Sequence, residues 1–112
     1  MTVPHLNRRL VLEAPVRTPD GAGGFSESWA VLGEVWAEVN ARTGRERAVA
    51  GGPVSAVGYR IVVRAAPVDA ASRPLPEQRF REGERLFVIQ AVADGDPTGR
   101  YLTCFADEEV AA

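Results

Sequence analysis

Asp20-Gly21-Ala22-Gly23-Gly24, an extended run as far as Trp29, Val35-Trp36-Ala37-Glu38-Val39 and then Arg42-Thr43-Gly44-Arg45-Glu46 is the stretch that decides the fold. Three of its first five residues are glycines, which permit positive φ in a tight reversal and fix the register of the strands on either side. Asp20, Gly23 and Gly24 are the turn residues. The later half alternates small apolar with polar side chains, as a half-buried strand does. Both tryptophans of the chain lie here, and Trp29 and Trp36 are the expected large contributors to a small core.

Outward from this stretch the pattern continues. Towards the N-terminus, Asn7 to Ala14 places Leu10 and Leu12 on one face and Arg9, Val11 and Glu13 on the other, which predicts a first strand. Residues 1–6 precede it as an arm. Pro15 and Pro19 interrupt ladder hydrogen bonding and predict an extended loop before the glycines. Phe25, Glu27, Trp29 and Val31 share a face of the second strand. Gly33 then predicts a turn, after which Val35, Ala37 and Val39 point one way and Trp36, Glu38 and Asn40 the other.

From Arg42 to Gly58 no strand alternation is visible. Arg45 to Ala50 is long enough for one or two helical turns, ended by Gly51-Gly52-Pro53. Residues 42–58 are thus expected to form a long loop, and loops of this length on compact domains are usually functional or disordered rather than passive connectors. Alternation returns in Val57, Tyr59, Ile61 and Val63 against Arg60, Val62 and Arg64. After the proline-rich segment from Ala66 to Gln78, Phe80 to Arg85 predicts a turn into Leu86 to Val92, a strand apolar on both faces and hence central. Asp94-Gly95-Asp96-Pro97-Thr98-Gly99 is dense turn chemistry that returns Arg100 to Ala106 antiparallel to it. Tyr59, Ile61 and Phe87 join the expected core, and residues 107–112 form an acidic, solvated tail.

The expected fold is therefore mainly β: a small antiparallel barrel or sandwich of about six strands with long loops and at most one short helix. The 112 residues suit one domain, with eight prolines and eleven glycines punctuating it. No apolar run approaches the roughly 20 residues needed to span a bilayer, so no membrane partner is expected. All thirteen basic residues are arginine and the net charge is −2, without the basic excess of a domain that grips duplex DNA over a broad face.

Little here points to catalysis. Cys104 stands alone within Thr103-Cys104-Phe105, where a small buried core residue is the expected role, and His5 stands alone in the N-terminal arm as a surface residue. Gly21, Gly23 and Gly24 lack the spacing, the lysine and the following helix of a phosphate loop. Glu82 and Glu84 flank a turn glycine, where solvent keeps carboxyls poor acids, and Arg79, Arg81 and Arg85 interleave with them as surface ion pairs. Neither catalytic residue, metal site nor cofactor is expected.

The order of the motifs carries more. Leu6-Asn7-Arg8-Arg9-Leu10, Asp20 with Gly23-Gly24, the spaced Trp29 and Trp36-Ala37-Glu38-Val39, Gly44 with Glu46, Arg60 after an aromatic, and the strand from Leu86 to Val92 together resemble the head-tail joining proteins of tailed bacteriophages, also called head-closure, stopper or head-tail adaptor proteins. Ala66 to Gln78 is richer in proline than that pattern, and Phe87 supplies its late aromatic. The resemblance implies a structural virion protein made in the bacterial cytoplasm, in a phage, a prophage or a gene transfer particle. It implies a ring in the neck, of six copies or alternatively twelve, between a portal or adaptor on the head side and a tail-terminator or tail-tube protein on the tail side. Double-stranded DNA would pass through without sequence-specific binding. Arg42, Arg45, Glu46, Arg47 and Pro53 would then lie at the channel or at a subunit boundary, the plain alternative being a loop that covers its own barrel. A tail-terminator or tail-completion protein, and a free-standing β-barrel binding module, are the competing readings.

Overall fold

In the computed structural model the described residues are 3–42, 45–49 and 52–109, with the backbone alone described over 45–49 and 52–56. They form eight strands: β1 (Arg8–Pro19), β2 (Phe25–Ala41), β3 (Arg45–Val49), β4 (Gly52–Ala56), β5 (Gly58–Arg64), β6 (Arg79–Glu82), β7 (Arg85–Asp94) and β8 (Tyr101–Glu109). Six of them close a barrel in the order β1-β2-β5-β8-β7-β6, antiparallel at every junction, and β3 and β4 form a separate two-stranded sheet. The described residues include no helix. Closure rests on a short seam, where Val11, Leu12 and Glu13 meet Arg81, Phe80 and Arg79.

Strand parity decides what enters the barrel. Leu10, Leu12, Ala37, Ile61, Val63, Phe80, Phe87, Ile89, Leu102, Cys104 and Ala106 line one buried cluster, with Tyr59, Val35, Val39 and Leu32 packed against it. Phe80 and Phe87 are the largest side chains fully inside, and the Tyr59 ring meets Phe87 edge-on at 5.1 Å between centroids. Trp36 is not part of this core. It is 57% exposed, because Val35 and Ala37 on either side of it take the inward positions and parity turns the indole to the outer wall. Trp29 also lies outside the core cluster, half-buried beyond the barrel.

Several boundaries differ from those expected. β1 runs straight through Pro15 and Pro19 rather than ending in a loop. The Asp20 amide donates to the Gly24 carbonyl at 3.1 Å, so the odd-numbered amides of β1 face away from β2. β6 pairs only as far as Glu13, so the prolines stand on an open edge where an N–H is not needed. β2 likewise passes Gly33 without turning. Leu12 pairs with Gly33 and Glu13 with Val31, which leaves Leu32 as an extra residue, so the expected turn is a β-bulge within one strand of 17 residues. β1 and β2 therefore continue past the seam as a two-stranded arm.

The arm ends in the glycine turn. Asp20 Oδ1 accepts the amides of Ala22 at 2.8 Å and Gly24 at 3.1 Å, while Gly21 and Gly23 take φ of 82° and 86°. A Cβ on Gly24 would stand 2.8 Å from Asp20 Oδ2, so the carboxylate occupies the space of the missing side chain.

The segment expected as a loop or helical turn over 42–58 is instead a hairpin. Arg45 pairs with Ala56, Arg47 with Val54 and Val49 with Gly52, so residues 45–49 are a strand rather than a helical turn and Gly52 opens the strand paired with it. The acidic tail is a strand up to Glu109, because Glu108 and Glu109 pair with Phe87 and Leu86. Residues 110–112 lie outside the described residues.

Candidate functional site

No described side chains assemble into a group of three or more histidine, cysteine, aspartate or glutamate residues that could hold a metal ion. Cys104 is fully buried and its thiol is pushed up to about 12 by desolvation, which removes the thiolate from ordinary chemistry. His5 is exposed, and its backbone amide donates to Glu38 Oε2 at 2.7 Å, tying the N-terminal segment to β2.

Charged side chains instead brace the barrel. At one end, interior parity brings together Arg8, Glu82, Arg85, Glu108 and the Tyr59 hydroxyl. Arg8 Nε donates to Glu82 at 2.7 Å and its Nη2 makes a second contact there. Arg85 donates to Glu108 at 2.8 and 3.2 Å, and to the Tyr59 hydroxyl at 3.1 Å, which itself donates to Glu108 at 3.2 Å. The hydrogen bonds from Arg8 and Arg85 hold the Glu82 and Glu108 carboxyls below the usual range. Glu82 is thus a structural anion rather than a freely solvated turn residue, and it remains ionised.

The second brace lies at the seam. Glu13 is only 5% exposed and accepts Arg79 Nε at 2.8 Å and Arg81 Nε at 3.0 Å, while the Arg79 guanidinium stacks 3.9 Å from the centroid of the Trp29 ring. Burial raises the Glu13 pKa and the two arginines lower it, with a net result below the usual range. Arg79 and Arg81 are therefore locking residues rather than loose surface ion pairs.

Two elements extend beyond the six-stranded barrel. The arm exposes Phe25 at 66% and Val31 at 60%, and an open cleft of about 630 Å³ separates it from the barrel, with Trp29 and Pro15 on one side and Val88 and Glu77 on the other. Trp36 lines a second hollow of about 450 Å³ with Leu6, Arg64 and Ser72. The β3–β4 hairpin is the other projection, joined to the barrel through Arg42 and Gly58, where the Arg42 amide donates to the Gly58 carbonyl at 2.7 Å. Arg45, Glu46, Arg47 and Pro53 are on this hairpin, with Pro53 opposite Ala48. Their side chains lie outside the described residues. Arg42 is exposed, with its guanidinium carbon 5.4 Å from the centroid of the Phe105 ring.

Sequence reasoning did not bring together Arg60 and Phe105, which pair across β5 and β8 on the outer wall, and it missed Glu13 as the seam anion. Parity held a signal for the first two, since Arg60 and Phe105 each oppose the inward residues beside them. Nothing local marks Glu13, whose partners are more than sixty residues away.

The model of the phage head completion protein family matches residues 1–109. A comparison with curated proteins finds no match. Among solved structures, a chain from the virion of a native gene transfer agent particle is 60% identical, over 98% of this chain and 100% of that one, with a TM-score of 0.87. With a match over nearly its whole length, on a closed barrel whose charged groups brace the fold, this chain belongs to the phage head completion proteins, structural components of the virion.

Proposed function

We propose that the protein forms a ring in the neck of a phage-type particle, joins the capsid portal to the tail, and lines or closes the DNA channel. The likeness over full length to a chain of a gene transfer agent virion carries this reading. Two projections on a small barrel supply each copy with unlike surfaces, and a ring closes only when one face of a subunit meets a different face of the next. Six copies suit the neck, with twelve as the alternative. A portal or adaptor protein would lie on the head side and a tail-terminator or tail-tube protein on the tail side.

In this reading the β3–β4 hairpin, with Arg42, Arg45, Glu46, Arg47 and Pro53, points towards the channel or a neighbouring copy. Duplex DNA passes without sequence-specific contacts, consistent with a net charge of −2. Membership in the head completion family favours this role over tail termination. The test is to examine particles that lack the protein. Full heads that leak DNA or fail to join tails support the neck role, whereas loose tails of abnormal length would overturn it.

A further inference from the structure

The arginines of this chain are mostly committed. Among the described residues, Arg8, Arg9, Arg17, Arg79, Arg81, Arg85 and Arg100 each pair with a carboxylate, and Arg73 donates to the Ala66 carbonyl. Three others, Arg64 among them, pair with none of the described carboxylates, and two of these, Arg42 and Arg60, stand together. Both are exposed, and both converge on one ring, with guanidinium carbons 5.4 and 6.0 Å from the Phe105 centroid. Among the described residues, the acid that borders Gly58 at the same root is Asp107, one carboxylate beside two guanidinium groups. Two like charges gathered on one aromatic ring repel each other, and a further anion beside them relieves that repulsion.

The sequence concentrates charge at the same place. From Arg42 to Arg60 there are four arginines and one glutamate, a charge of +3, whereas the rest of the chain holds nine arginines and fourteen acids, a charge of −5. A polyanion is repelled by most of the subunit and attracted to this stretch.

We infer that Arg42 and Arg60, held on Phe105 at the root of the β3–β4 hairpin, form a platform for the phosphate backbone of duplex DNA. The inference rests on the neck reading for the source of the polyanion. Attraction to the face of the Phe105 ring restricts the guanidinium groups, so they have less freedom to give up when their N–H groups meet phosphate oxygens. Such binding carries no sequence information. Two arginines bind weakly in one copy, but repetition around a ring multiplies them into a brake on packaged DNA, while the acidic remainder keeps the passage from gripping it elsewhere.

The test titrates the isotopically labelled full-length protein with a 20-base-pair duplex at low salt, and measures how affinity falls with added salt. The Arg42 and Arg60 Nε–H signals are expected to shift. Arg42→Ala with Arg60→Ala should reduce the magnitude of the log–log salt slope by about two, near 0.9 for each phosphate that is no longer neutralised. Arg17→Ala, on the arm, should leave the slope unchanged, and Arg42→Lys with Arg60→Lys should retain it if charge is what acts. An unchanged slope in a folded alanine double variant, absence of shifts, or shifts produced by an acidic peptide and not by the duplex would overturn the platform. The neck reading is judged separately, by whether particles lacking the protein close and acquire tails.

Discussion

Arg79 lies between Trp29 and Glu13, with its guanidinium carbon 3.9 Å from the indole centroid and its Nε 2.8 Å from the carboxylate. This one side chain ties β6 to the base of the arm on β2 and to the short seam on β1. Glu13 also neutralises Arg81, so its removal leaves two arginines side by side at the place where the barrel closes. Glu13→Gln is expected to destabilise the protein by about 3 kcal/mol, the lower end of what breaking a buried pair costs. Urea unfolding followed by tryptophan fluorescence measures it, and a change indistinguishable from zero would show that the seam closes without the brace.

Aromatic residues of the barrel should divide sharply by parity. Phe87 is fully buried against Phe80 and Tyr59, so Phe87→Ala should cost about 3–5 kcal/mol in the isolated subunit. Trp36, although larger, stands on the outer wall, and Trp36→Ala should cost under about 1 kcal/mol there. Denaturant midpoints of the two variants check the contrast, and equal losses would contradict the placement of Trp36.

How much of this was legible in the sequence follows from the range of the forces involved. Alternation placed Ile61, Leu10 and Leu12 correctly because it depends only on neighbouring residues, and the dense turn after Asp94 announced β7 and β8 for the same reason. Size misled at Trp36, where the expectation rested on how much area an indole can bury rather than on which face parity gave it. The prolines misled because Pro15 and Pro19 forbid a strand only where the missing N–H would face a partner. The hairpin from Arg45 to Ala56 was hidden by its composition, since small residues and paired glycines give little alternation to see. Pairings such as Arg8 with Glu82 and Arg79 with Glu13 span most of the chain and leave no local mark.

Acid should loosen the barrel from its braces. The Glu13, Glu82 and Glu108 carboxyls lie below their ordinary value of 4.5 in the folded protein. Their contribution is therefore complete above that value and is lost as pH falls through the lower folded-state values. Thermal midpoints should be nearly constant from pH 7 to about 5 and decline below about 4.5. Glu82→Gln with Glu108→Gln should lower the midpoint at pH 7 and flatten the decline, and an undiminished acid decline in that variant would remove these carboxylates from the explanation.

Cys104 offers a probe of opening. The folded thiol, pushed up to about 12 and fully buried, should resist alkylation at pH 8 and react promptly once urea unfolds the chain. Its modification rate under native conditions then reports the population of opened barrel. Rapid stoichiometric labelling of the native protein would contradict the burial of β8.

The β3–β4 hairpin should show the largest difference between the free subunit and the particle. Its strands have five residues each, they pair with each other, and neither joins the barrel sheet. A lone two-stranded hairpin is marginal in water, because ordering each residue costs on the order of 1–2 kcal/mol and little apolar surface is available to offset it. Amides over 45–49 and 52–56 are therefore expected to exchange quickly in the isolated protein. In an assembled ring, a neighbouring copy or the portal side can supply the missing packing, and protection should rise at least about tenfold, equivalent to about 1.4 kcal/mol. Barrel amides of β5 and β8 serve as the internal reference, since their pairing is complete in the monomer. Equal protection of the hairpin in free protein and particle would reject its ordering on assembly, and deletion of residues 45–56 without loss of DNA retention or tail attachment would reject its role in closing the channel.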